Sequence, residues 1–122
     1  MTDHTALTRR LNDMTRSQPE IANASWVMTQ GVAALLISDD GDNPSKPDAS
    51  RFAALRAALA TFNHWPKGDP YEEHDFGAFD LFGEKLFFKI DYYHPDHDTL
   101  APVPSSVELC RRVLTLMRAD EY

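Results

Sequence analysis

His74, Asp75, Lys89 and Asp91 are the residues of this chain whose types and spacing could carry acid–base chemistry. A histidine facing a carboxylate is held in one orientation and can take a proton, so His74 opposite Asp91, with Asp75 and Lys89 nearby, would make a general base. That is the pattern of a small hydrolase or a metal-dependent enzyme. Two features speak against it. No serine or cysteine lies between Asp69 and Asp98, and the acid and lysine of Lys89-x-Asp91 run in the reverse of the order that nuclease strands use. A second cluster follows at once. His94, Asp96, His97 and Asp98 offer four side chains of the imidazole and carboxylate types that suit zinc or nickel. Pro95 sits inside that run, and such a loop would have to fold sharply to aim all four at one point, so a solvated loop is expected and no cofactor. Asp39 to Asn43, "DDGDN", lacks the spacing and the terminal glutamate of a calcium loop.

The elements that position the first cluster are two strands around a tight turn, "EHDFGAFDLFGEKLFFKIDYY". The turn falls at Phe82-Gly83 or Gly83-Glu84, because a two-residue hairpin loop needs glycine. Either choice puts Gly77, Phe79 and Leu81 on one face with Leu86, Phe88, Ile90 and Tyr92. That is a core face. The other face takes His74, Phe76, Ala78, Asp80 and Phe82 with Lys85, Phe87, Lys89, Asp91 and Tyr93. With the first turn, Asp80 faces Lys85, Phe76 faces Lys89 and His74 faces Asp91. Opposite charges set across strands contribute about 0.2–1 kcal/mol each. A solvated face with cross-strand ion pairs accounts for this pattern. Aromatic side chains mixed with charges also describe a protein contact surface.

Around the hairpin the chain reads as a single α+β domain over residues 1–122: a small, mainly antiparallel sheet of about three strands, packed by helices on one face. Thr2 or Asp3 can cap a first helix whose apolar stripe is Leu7, Leu11 and Met14, ended by Pro19. Ser25 to Ile37 reads as a strand with Gly31 as a bulge or turn. A polar loop follows, and Ser50 opens a helix with Phe52, Leu55, Leu59 and Phe62 on one face. Pro66 and Pro70 bar its continuation. Ser105 and Glu108 have capping-box spacing, which predicts a last helix burying Leu109, Val113, Leu116 and Met117.

Charge narrows the function classes. The chain has 122 residues and a net charge of −7, and the stretch from Asp69 to Asp98 holds nine acids against Lys85 and Lys89, which is the whole imbalance. Such a field repels nucleic acid and attracts basic partners or cations. No basic stripe or glycine-rich phosphate loop is present. One cysteine, Cys110, leaves nothing for an internal disulfide. The N-terminal residues lack the apolar stretch of a secretory signal, and no run is long enough to span a bilayer, so a cytoplasmic protein is expected. A binding module fits these residues better than an enzyme. Glu72, Glu73, His74, Phe76, Asp80, Phe87, Lys89, Asp91 and Tyr93 are its candidate partner-binding residues, with Glu72, Glu73, Asp80 and Asp91 supplying the field and Phe87 and Tyr93 the contact area. The expected partner is a basic protein, with no direct nucleic-acid or membrane contact.

"GDPYEEHDFGAF", "KIDYY" and "RVLTLMRADEY", preceded by "VMTQGVAAL" (Val27 to Leu35), resemble a bacterial family known as domain of unknown function 3768. The likeness spans roughly Val27 to Tyr122. Glu72 stands where a glycine is usual and His94 where an acid is usual, and the loop from Asp39 to Asp48 is peculiar to this sequence. The resemblance implies a small cytoplasmic protein carried on plasmids and other mobile elements, beside accessory genes that counter host defences. It implies no reaction and no catalytic residue.

Overall fold

The computed structural model describes residues 4–37, 48–63, 65, 73–95, 103–106, 108 and 110–122. In chain order the elements are α1 (His4–Ser17), β1 (Ala24–Met28), α2 (Gln30–Leu35), α3 (Ala49–Ala60), β2 (Phe76–Leu81), β3 (Glu84–Tyr93), β4 (Arg111–Arg118) and a 3-10 turn (Ala119–Glu121). The four strands make one mixed sheet in the order β1-β4-β3-β2, parallel between β1 and β4 and antiparallel elsewhere. This is the expected α+β class, with one more strand than the sequence suggested. No described helix is long and apolar enough to cross a membrane.

The largest correction is at β4. Val113, Leu116 and Met117, assigned to a last helix, lie in one of the two inner strands, hydrogen-bonded on both sides. Arg112, Leu114 and Leu116 alternate inward at period two, and each is buried. Val113, Leu116 and Met117 happen also to fall at helical spacing, and that coincidence misled the periodicity reading. Pairing with two neighbouring strands decided the outcome. Ser105 lies in a turn, Glu108 is exposed, and Leu109 lies outside the described residues.

A second correction falls between Ser25 and Ile37. The strand stops at Met28, where the Thr29 hydroxyl accepts from Val32 N at 3.4 Å and starts the six-residue α2. Gly31 leaves room there for two side chains as they are placed. A Cβ would lie 2.5 Å from Glu121 Oε1 and 2.7 Å from Arg118 Cδ.

α3 follows its sequence signal. Asp48 caps it, its carboxylate accepting from Ser50 N at 2.9 Å and from Arg51 N at 3.4 Å. Those bonds, the Ser50 ones first, hold the Asp48 carboxyl below its ordinary range. Leu55, Leu59 and Phe62 are buried, whereas Phe52 is left exposed. Together with Val32 and Leu36 they meet Leu86, Phe88, Ile90, Leu114 and Leu116 of the sheet in one core. Gly77 lets this happen: a Cβ there would come within 2.6 Å of the Phe62 ring and 2.5 Å of Phe88. Thr2, Asp3, the 38–47 loop, Pro66 and Pro70 lie outside the described residues.

The hairpin has the register of the first of its two expected turns: Phe76 pairs with Lys89, Gly77 with Phe88, Phe79 with Leu86 and Asp80 with Lys85. Phe82 and Gly83 take φ of 54° and 76°, as a two-residue turn of the I′ kind requires. A phenylalanine in left-handed backbone is strained. Its ring is held against the core margin, with the Arg51 guanidinium 4.7 Å from its centroid.

Candidate functional site

The sheet has two unlike faces. Even-numbered residues of β3 and β4 point towards the helices, and odd-numbered ones point to the other side, on which no described helix packs. Phe76, Ala78 and Asp80 of β2 join Lys85, Phe87, Lys89, Asp91 and Tyr93 of β3 on this open side, beside Val113 and Thr115 of β4 and the exposed Val27 of β1. Lys89 Nζ lies 3.4 Å from Asp91 Oδ1 along the strand, and the Arg111 guanidinium sits 5.3 Å from the Tyr93 ring.

Tyr122 completes this face, and the sequence reading missed it. Its ring centroid is 5.7 Å from that of Phe76 and 5.6 Å from that of Phe87, while those two are 5.3 Å apart. The result is a three-ring cluster whose outermost member is 76% exposed. Glu121 anchors the segment that delivers it. Its carboxylate accepts from the Thr29 hydroxyl at 2.7 Å, from Arg118 N at 2.8 Å and from Gly31 N at 3.2 Å. The Thr29 bond above all holds the Glu121 carboxyl below its usual range. The signal that could have found Tyr122 was Gly31, whose missing side chain makes space for Glu121.

His74 does not belong to this face. Asp75 O still accepts from Ile90 N at 2.8 Å, but His74 takes φ of 59° and the chain turns out of the ladder before it can meet Asp91. Its ring instead stacks on Trp65 at 3.7 Å and 8°, with Nδ1 2.9 Å from Asp13 Oδ1 on α1. The same oxygen accepts from Arg16 at 2.5 Å. The expected His74–Asp91–Lys89 constellation is therefore split between the two sides of the sheet. Glu73 turns the same way as His74. Its carboxylate accepts from the Tyr92 hydroxyl at 3.0 Å. Glu72 lies outside the described residues.

Beneath α1 lies a buried polar cluster. Asn12, fully buried, donates to Glu73 O at 2.9 Å and to Tyr92 Oη at 2.8 Å, and accepts from Arg112 Nε at 2.8 Å. Arg112 is fully buried too, donates to Pro104 O, and has its guanidinium 5.2 Å from the Tyr92 ring. Burial lowers the Arg112 pKa, against the nearby negative groups. Burial also pushes the Tyr92 phenol well above its ordinary value, with Glu73 and Asp75 adding to the push and the Asn12 bond opposing it. Cys110 is buried, and desolvation raises its thiol against the pull of Arg112. A thiol kept protonated is a poor nucleophile.

The second sequence cluster is not assembled among the described residues. His94 is half-buried, Asp96, His97 and Asp98 lie outside them, and no described group of three His, Cys, Asp or Glu side chains is arranged to hold a metal ion. The acidic field is also less concentrated than the sequence implied. The open face sets Asp80 and Asp91 against Lys85, Lys89 and Arg111, while Glu84 bonds to Arg118 at 3.3 Å.

No curated protein and no solved structure matches this chain significantly. The motifs do find their family: a model described as "Protein of unknown function (DUF3768)" matches residues 28–121, most of the chain, and the protein belongs to that family.

Proposed function

We propose that this protein is a non-catalytic binding module that seats a protein partner on the open face of its sheet. The observation that carries the reading is the cluster of Phe76, Phe87 and Tyr122, on a side of the sheet where no described helix packs. Tyr122 keeps most of its surface in water, and a partner's surface removes that exposure. Aromatic centres rimmed by charge are the composition of contact surfaces. Asp80, Lys85, Lys89 and Asp91 form such a rim here.

The partner class rests on the chain's net charge and not on the face itself, where Asp80 and Asp91 stand among Lys85, Lys89 and Arg111: the excess of acids between Asp69 and Asp98 favours a basic surface by long-range steering. Basic surfaces are common on nucleic-acid-binding proteins. A cytoplasmic accessory factor carried on a mobile element would, by covering one, block a host defence protein. The test is affinity capture from host lysate at low salt, where electrostatic contacts survive, comparing the natural chain with Phe87→Ser. Capture of a basic protein by the natural chain, lost in Phe87→Ser, is expected. Failure to retain any protein, or equal retention by the variant, overturns the reading.

A further inference from the structure

β2 is an edge strand, and its outer rim is unpaired among the described residues. The direction of each backbone group follows from two separate observations. Ile90 N donates to Asp75 O, so Asp75 and, two by two, Gly77, Phe79 and Leu81 direct their backbone groups to β3. On the far side of the sheet Arg112 N donates to Asn23 O and Leu116 O accepts from Thr29 N, so even positions of β4 face β1 and its odd positions face β3. The odd positions of β3 are thereby taken by β4, and its even positions are left for β2. Both routes leave the N–H and C=O groups of Phe76, Ala78 and Asp80 facing outward. "FGAFDL" contains no proline, no lysine and no bulge, and Asp80 is the one charge on this edge. Alongside it runs a groove of about 500 Å³, lined by Ala58, Thr61 and Phe62 of the α3 end and by Ala78, Phe79 and Asp80.

We infer that this rim takes an extended basic segment of the partner protein as a fifth strand. Strand addition joins main-chain bonds to side-chain pockets that alternate along the peptide. Residues of the incoming strand that face Phe76, Ala78 and Asp80 lie on the open side of the sheet, and the residues between them enter the groove. Charge selects the occupant. Among the described residues from Glu73 to Glu84 the chain carries four acids (Glu73, Asp75, Asp80 and Glu84) and neither lysine nor arginine, and Lys85 stands across from Asp80 on the inner neighbour β3. Asp80, on the rim itself, is exposed. A second copy pairing edge to edge would set two such stretches together, whereas a strand with lysine opposite Asp80 and valine over Phe79 meets both demands.

The inference rests on the binding-module reading and names the part of the partner that is held. Its probe is the peptide Ac-TVKVTVKV-NH2, in which lysine and threonine alternate with valine. Added to the full chain at low salt, it slows amide exchange at Phe76, Ala78 and Asp80 about tenfold or more. The version with glutamate for lysine, and the version N-methylated on its lysine and threonine amides, leave exchange unchanged. Ala78→Pro removes an outward N–H without touching the β2–β3 ladder, and it abolishes the protection while the natural far-UV circular dichroism is retained. Should that variant misfold, the N-methylated peptide alone decides. No slowing with the lysine peptide, or equal slowing with the glutamate or N-methylated one, overturns the inference. A lysate partner lost with Phe87→Ser yet kept with Ala78→Pro overturns it too, and leaves the docking face standing.

Discussion

α1 and α3 lie on the same side of the sheet and are held there by opposite chemistry. α3 presents Leu55 and Leu59, with Phe62 just past its end, all buried against Phe88, Ile90 and their neighbours. α1 presents Thr8, Asn12, Thr15 and Arg16, equally buried and entirely polar. Most polar groups of that stripe meet a defined partner, although Arg16 Nε has none among the described residues. Asn12 joins Arg112 and Tyr92, and the Thr15 carbonyl accepts from Trp26 Nε1 at 2.7 Å. Arg16 reaches across to the other helix, donating to Leu59 O at 2.9 Å and Phe62 O at 3.0 Å. A cation there satisfies carbonyls that the end of a helix leaves open and complements its dipole. The comparison teaches that one helix supplies packing and the other supplies register: apolar contacts tolerate sliding, and a mesh of directed bonds does not.

The largest effect expected from breaking either side is on the apolar one. Leu59 has no exposed surface, so Leu59→Ala loses its transfer free energy and leaves a void beside Phe62. The expected loss is about 2–5 kcal/mol, read as a lower urea midpoint with an unchanged slope. A loss below about 1 kcal/mol would mean that the α3 interface is not the close-packed one described.

Next comes the polar side. Asn12→Leu keeps the volume but strips Arg112 Nε of its acceptor and the Tyr92 oxygen of a donor, in a place where Arg112 Nη1 already lacks a partner among the described residues. Leaving buried polar groups unmade costs about 1–3 kcal/mol. The double variant Asn12→Leu, Arg112→Met removes the orphan with its partner, and should be more stable than the sum of the single losses predicts. Additive losses in that cycle would show the two residues to be independent.

At alkaline pH the polar side is the one that responds. Tyr92 and Cys110 both have pKa values raised by burial. A raised pKa means that the folded chain keeps a proton that the unfolded chain releases, so the stabilisation is complete below the unfolded value and falls as pH rises past it. The loss sets in above about pH 8.5 for the thiol and about pH 10 for the phenol. In denaturant titrations between pH 9 and 11 the natural chain should lose stability more steeply than Tyr92→Phe, which has no phenol to titrate. Parallel curves would remove Tyr92 from the account.

These two helices also mark how far the fold was legible in the sequence. The α3 stripe and the hairpin were readable because apolar residues recur there at the spacing of the element, and Gly83 announces the turn. α1 was found as a helix, but its face was misassigned to Leu7, Leu11 and Met14. Periodicity locates grease, and here the packed face has none. β4 was missed because a central strand is specified by partners far away in the chain, while Ser105 and Glu108 gave a strong local signal for a helix. Of the candidate site, Phe76, Asp80, Phe87, Lys89, Asp91 and Tyr93 were grouped correctly by strand parity. His74 and Glu73 escaped because parity ends where the ladder ends, and a single residue at positive φ sends both towards α1.

The smallest expected effect sharpens the comparison most. Leu7 belongs to the stripe that the sequence offered as the packed face of α1, yet it is 40% exposed, with Leu11 and Met14 only half-buried. If α1 is held by its polar stripe, Leu7→Gln removes little buried surface, and its cost stays within about 0.5 kcal/mol, the ordinary range for surface substitutions. Thr8→Leu, its neighbour on the buried side, is the contrasting change: a larger side chain enters a filled site, for which about 1–3 kcal/mol is usual. The thermal midpoints should rank the natural chain level with Leu7→Gln and above Thr8→Leu. The reverse ranking would put the apolar stripe back against the sheet. The Asn12, Tyr92 and Arg112 bonds could not then form from the same helix orientation, because residues 7 and 12 lie on different faces of one helix.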